Sequence, residues 1–326
     1  MLTELADILR RSLGILHKQD IQMVAQCLNS PIALSPQGPT VSPPPLGDDC
    51  ATIPDNDGYL LLAAEGMMPF LVESEPWFAG WCAVMVNVSD IYAMGGRPIA
   101  VVDTIWSQST DLSRSLLDGM QAAARAYNVP IVGGHTNGHS PYNALSVAIL
   151  GRAKQLLTSF NAKPGDSLMA VIDRRGTLHP RYSFWNAAID APPERLRGDL
   201  EILPQLAETG LCSAGKDISM GGLLGTALML LETSGCGAVI DLDVIDCPSQ
   251  CSLETWLLCF PSYGFLLSVR SEQVEAVRSR FHRRDLWCEV IGQVNVSQQL
   301  WVQQGTEQVL FWNLANRALT GFTTID

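Results

Sequence analysis

The sequence predicts an α/β fold in two domains, and three observations carry that prediction. The chain holds 326 residues, more than one hydrophobic core usually organises at about 100 to 200 residues per domain. Apolar residues make up 47% and charged residues 17%, a balance that excludes extended disorder and points to surface buried between subunits. Short apolar runs of strand length alternate with longer helical patterns in both halves of the chain, as in mixed α/β domains.

The chain opens on a helical apolar pattern over 1–28 that carries Glu4, Asp7, Arg10, Arg11 and Lys18. This excludes a signal peptide and a membrane span and implies a cytoplasmic protein. Residues 31–45 are rich in Pro, Ser and Gly without periodicity and read as a linker or a lid over a ligand. A turn at Gly47-Asp48-Asp49 precedes a strand over 59–64 and a long apolar helix over 76–94. Pro76 suits the first helical turn, and Gly95-Gly96 stops the helix. A strand over 98–106, a helix over 111–127 and strands over 129–132 and 144–150 complete the first domain. The polar segment over 154–165 then marks the boundary before a strand at 167–172. In the second half the pattern predicts helices over 185–189, 223–232 and 272–281, and strands over 238–242, 265–269 and 289–294.

The formal net charge of −12 repels nucleic acid and anionic lipid, so neither is an expected partner. A phosphate-bearing ligand then needs metal cations or backbone dipoles, which directs attention to acidic clusters. Nine cysteines without a paired spacing pattern fit reduced thiols. Cys247 and Cys251 stand closest together and, without a second Cys or His pair nearby, read as ordinary cysteines.

Four segments could carry chemistry. Asp48 and Asp49 are adjacent on a turn, so both cannot face one core; they either cap backbone N–H groups or hold a hard cation such as magnesium. Asn87, Ser89 and Asp90 interrupt an otherwise apolar helix, and Asn87, Asp90 and Met94 share one of its faces. These polar groups need partners, either internal hydrogen bonds or a metal or phosphate. Gly133-Gly134-His135-Thr136 follow an apolar run and form either a simple connection or a turn that cradles phosphate. Asp217-Ile218-Ser219 lead into a helix whose N-terminal donors attract anions, unless Asp217 or Ser219 merely caps it.

In order, Gly47-Asp48-Asp49-Cys50-Ala51, Asn87-Val88-Ser89-Asp90-Ile91, Ala93-Met94-Gly95-Gly96, Gly133-Gly134 and Asp217-Ile218-Ser219 resemble the signature segments of the aminoimidazole-ribonucleotide-synthetase-like superfamily. That superfamily holds thiamine-monophosphate kinase, selenophosphate synthetase and the hydrogenase-maturation dehydratase. Thiamine-monophosphate kinase is nearest in layout, through 162–166, 236–241 and 291–294. The resemblance implies a two-domain AIR-synthase-like fold: an N-terminal helix and lid or linker over 1–46, an ATP-binding domain over 47–153 and a C-terminal domain over 154–326. It implies a homodimer joined through the ATP-binding domains, with ATP and magnesium as cofactors and a small molecule as substrate. Magnesium falls to Asp48, Asp49, Glu65, Asp90 and Asp217, and catalysis to Asp48, Asp90 and Asp217. Nucleotide contacts fall to Asp49, Asn87, Met94, Gly95, Gly133, Gly134, His135, Thr136 and Ser219.

The chain also departs from the kinase pattern. Glu65 stands for an Asp, His135 for the Asp of a Gly-Gly-Asp-Thr turn, Met220 for the second Asp of Asp-x-Ser-Asp-Gly, and Phe260-Pro261-Ser262-Tyr263 for an acidic substrate-side segment. His135 has a counterpart in selenophosphate synthetases, but their reactive lid cysteine is missing here. The expected activity is ATP- and magnesium-dependent phosphoryl transfer to, or phosphate activation of, a small molecule. Its alternatives are a catalytically weakened nucleotide-binding sensor or assembly protein, and an ATP-dependent ligase.

Overall fold

The computed structural model describes residues 2–28 and 45–322. The linker or lid expected over 31–45 lies outside them, residue 45 apart. In chain order the helices are α1 (Leu2–Arg10), α2 (Leu13–Gln19), α3 (Ile21–Leu28), α4 (Pro69–Ser74), α5 (Pro76–Ala93), α6 (Thr110–Tyr127), α7 (Pro193–Leu200), α8 (Ile202–Glu208), α9 (Gly222–Thr233), α10 (Leu253–Leu257) and α11 (Val274–His282). The strands of the first half are β1 (Ala51–Asp55), β2 (Gly58–Gly66), β3 (Arg97–Trp106), β4 (Ile131–Asn137), β5 (Ala144–Ala153), β6 (Ser167–Ile172), β7 (Thr177–Leu178) and β8 (Phe184–Asn186). Those that follow are β9 (Ala214–Asp217), β10 (Gly237–Asp241), β11 (Phe260–Pro261), β12 (Gly264–Val269), β13 (Trp287–Asn295), β14 (Gln299–Gln304) and β15 (Glu307–Asn313).

Two units follow from this chain path. The smaller comprises Thr52–Leu157 and Ala187–Gly210; the larger comprises Met1–Ala51, Thr158–Asn186 and Leu211–Asp326. In the smaller unit a five-stranded sheet runs in the order β1-β2-β5-β3-β4. β5 pairs antiparallel with β2 and β3, while β3 and β4 are parallel and joined through α6, as a parallel pair requires. Buried and half-buried positions alternate along β5 from Ala144 to Leu150, because α5 covers one sheet face. α5 begins with Pro at its first turn and is buried on every side from Phe78 to Ala93, as its largely apolar composition requires, with Asn87, Ser89 and Asp90 carried into the interior. Arg97 ties α7 and α8 to this unit through Glu201 and Glu208, both at 2.6 Å.

The expected turn at Gly133-Gly134-His135-Thr136 is corrected here. All four residues lie in β4, pairing with Val102, Asp103, Thr104 and Ile105 of β3. A parallel neighbour brought alongside by α6 satisfies backbone groups that a short apolar run alone could not foretell.

The larger unit carries a seven-stranded sheet, β15-β14-β10-β13-β6-β12-β9, and a three-stranded sheet, β11-β8-β7. Every residue of α9 is buried. Two further expectations are corrected. Residues 2–28 form three helices, with Ser12 ahead of α2 and Asp20 at its end. The helix expected over 185–189 is replaced by β8, where Trp185 donates its indole N–H to the Asp173 carbonyl at 2.8 Å and packs edge-on against Trp256 at 5.1 Å. Aromatic packing and the pairing of β8 with β11 override the local pattern.

Candidate functional site

In the larger unit the segment before β1 brings two carboxylates to the end of β9. Asp48 accepts the Ser159 N–H at 3.0 Å, the Thr158 hydroxyl at 2.5 Å and the Asp49 N–H at 3.1 Å. Both of its oxygens therefore engage loop donors. Asp49 forms an ion pair with Lys216 of β9 and accepts the Asp217 N–H at 3.3 Å. The Lys216 and Asp49 side chains are 6% and 4% exposed, so their attraction acts with little solvent screening. Carboxylate oxygens of Asp49 and Asp217 lie within 4.8 Å of each other.

Three carboxylates against one ammonium leave an excess of negative charge. Burial pushes the Asp48 carboxyl above its ordinary value; Lys216 pulls it down and Asp49 raises it further. For Lys216, burial favours the neutral amine, but Asp49, Asp48 and Asp217 outweigh it and hold the group above the usual lysine value. The site thus has a fixed cation beside hard oxygen donors. Its acids fit magnesium, since two buried carboxylates separated by a few ångströms are the donor set this ion takes. Ser219 follows, its hydroxyl buried with no hydrogen-bond partner among the described residues. No side chain caps α9, whose N-cap is Gly221, so neither Asp217 nor Ser219 acts as its cap.

In the smaller unit Asn87, Asp90 and Met94 are 0%, 6% and 0% exposed along the end of α5. Asn87 donates from Nδ2 to the Ala83 carbonyl at 2.8 Å, and its Oδ1 is buried with no partner among the described residues. Met94 N–H and Gly95 N–H close the helix on the Asp90 and Tyr92 carbonyls at 3.2 and 2.9 Å. Gly133, Gly134, His135 and Thr136 are exposed on β4. A Cβ at Gly134 would lie 2.5 Å from Asp103 Oδ2 and 2.7 Å from the Asp103 carbonyl, so this close approach requires glycine. Glu65 is exposed on β2, and β5 and β3 separate that strand from β4.

The structure therefore gathers Asp48, Asp49 and Asp217 in one unit. It aligns Asn87, Asp90, Met94 and Gly95 at one helix end in the other, with Gly133 to Thr136 on a strand and Glu65 apart from them. Two residues escaped the sequence reading. Lys216 interrupts the small residues Ala214-Gly215 immediately before Asp217, and a lone charge inside a short strand beside an acid was its signal. Asp103 left a similar trace as the one carboxylate of β3; burial raises its pKa.

The family model described as AIR synthase related protein, N-terminal domain, matches residues 47–153. The corresponding C-terminal domain matches 166–303. An uncharacterized protein of Synechocystis sp. is 55% identical over 99% of both chains. The thiamine-monophosphate kinase of Pyrococcus horikoshii is 33% identical over 46% of this chain and 50% of its own. Among solved structures, AaThiL complexed with AMPPCP and TMP superposes with a TM-score of 0.65 at 21% identity, covering 90% of this chain and 96% of its own. That last likeness shows a shared fold. With both domain models matched in order across the acidic motifs, the chain belongs to the AIR synthase related family.

Proposed function

We propose that this chain is an ATP- and magnesium-dependent enzyme that phosphorylates, or activates through a phosphate, a small molecule. The observation that carries the reading is the excess of negative charge where Asp49, paired with the buried Lys216, lies beside Asp217 and the neighbouring Asp48 is held by Thr158 and Ser159, in a family that includes a thiamine-monophosphate kinase. Magnesium supplies charge neutralisation of nucleotide phosphates, the main requirement of phosphoryl transfer. Asp49 and Asp217 hold it, while Asp48 fixes the loop of Thr158 and Ser159. In the smaller unit the proposed metal contacts are Asp90 and Glu65, and the proposed phosphate and nucleotide contacts are Asn87, Met94, Gly95, Gly133, Gly134, His135 and Thr136. Ser219 offers a buried hydroxyl to the same ligand class. The protein is proposed to act in the cytoplasm as a homodimer.

Calorimetric titration with ATP tests the reading. Binding is expected only with magnesium, and Asp217→Asn and Asp90→Asn should each weaken it by about 1–3 kcal/mol, the scale for losing a charge-assisted contact. Unchanged affinity in both folded variants, or no binding by the natural protein, overturns it. A second reading, a nucleotide-binding sensor, is favoured by one observation: His135 and Met220 are exposed where the kinase pattern has acids. Binding without turnover of ATP would select it.

A further inference from the structure

Lys216 has no place in the activity just proposed, although it pairs with Asp49 and feels the charges of Asp48 and Asp217. Its ammonium is buried, and one oxygen of Asp49 receives it while the other receives the N–H of the next residue, Asp217. Consecutive groups of β9 thus occupy both oxygens of one carboxylate. Asp48 is held separately by Thr158 and Ser159. Buried carboxylates this close repel one another unless a cation lies among them. In an acidic phosphate site that cation is ordinarily a divalent ion; here a side chain already supplies a positive charge on a fixed stem.

We propose that Lys216 is the resident cation of the Asp48, Asp49 and Asp217 cluster, standing in for one divalent ion and keeping the acids in place before any metal arrives. This rests on reading the cluster as a magnesium-phosphate site. Lys216 is a positioning residue, and its consequence is that the cluster recruits fewer magnesium ions than its three acids suggest. The departures at His135 and Met220 point the same way: the chain offers fewer acids at its motifs and one built-in cation.

Thermal unfolding without nucleotide tests this, comparing millimolar magnesium chloride with sodium chloride of matched ionic strength. In the natural protein Lys216 already neutralises the cluster and magnesium enters with the nucleotide, so the melting temperature should be the same in both salts. Lys216→Met should melt lower in sodium chloride and rise by about 3 °C or more in magnesium, the shift expected when an ion binds only the folded state well above its dissociation constant. Lys216→Arg, which keeps the charge, should behave as the natural protein. A purely structural lysine would lower stability equally in both salts, and that result overturns the proposal. So does a magnesium response of equal size in the natural protein, or a Lys216→Met chain that fails to fold even in magnesium. Because no nucleotide is present, these outcomes stand apart from ATP binding by the natural protein, whose absence would strike the proposed activity instead.

Discussion

Asp103 shows what one residue can cost and what its neighbours must give up for it. Its side chain lies on β3 with the residue only 8% exposed, and burial raises its pKa from the ordinary 3.8. The folded state therefore holds the proton more tightly than the unfolded chain. The stability from this group is fully present below the unfolded value and is lost as pH rises through the folded one. Asp103→Asn removes that dependence while keeping the shape. As pH falls from about 7 to about 4, the natural protein should gain melting temperature relative to the variant. Parallel melting curves in the two proteins would contradict this. Gly134 belongs to the same arrangement, because any Cβ there meets both the carboxylate and the backbone of Asp103. The doublet Gly133-Gly134 was visible in the sequence; the acid that demands its second member was not, since the pairing of β3 with β4 depends on a crossover of 18 helical residues.

At the scale of elements, α9 and α10 meet through one glycine. Gly222 opens α9 with φ +63, and a Cβ there would lie 2.1 Å from the Leu257 carbonyl oxygen and 2.8 Å from Leu258 Cα. Positive φ and a backbone collision act together, so Gly222→Ala should cost on the order of 2 kcal/mol or more. Chemical denaturation measures it, and a loss below about 0.5 kcal/mol would show that α10 yields instead. The sequence made α9 legible because its apolar run is long and bounded by Gly221-Gly222 and Gly235. The same holds for α5 and α6, whose ends agree with the pattern to within a residue. Short strands with a clear apolar run, β6, β10 and β12, were legible to within a residue, but the shortest elements were not. Residues 185–189 carry too few positions to separate a helix from a strand by periodicity, and the Trp185 contacts with Asp173 and Trp256 that decide it come from distant segments. Likewise Ser12 and Asp20 break 2–28 into three helices without a glycine or proline between them. Asp48, Asp49, Asp90 and Asp217 were legible as candidates because acids in apolar or turn settings stand out. Lys216 stayed hidden because its meaning depends on Asp49, far away in sequence.

For the whole molecule, one face of the smaller unit's sheet is left exposed among the described residues. Val101, Ile105, Val147 and Ile149 are buried, on the side where α5 packs. The alternate positions form an apolar patch on the other side: Leu62 pairs with Leu150, Ala64 with Ala148, and Val102 again with Ala148. Leu62 is 46% and Val102 42% exposed, and Val132 on β4 reaches 63%. A contiguous apolar sheet face is costly in water and marks an interaction surface. Its occupant in the homodimer proposed above is the same face of a second copy, which a two-fold axis makes self-complementary. Light scattering should then report about twice the 35.4 kDa of the chain at micromolar concentration. Leu62→Glu and Val102→Glu together place two charges on each copy of the face without disturbing the buried side, so the double variant should keep its secondary structure and scatter as a monomer. A natural protein that stays monomeric at high concentration would refute the dimer. A double variant that remains dimeric would move the interface to another surface.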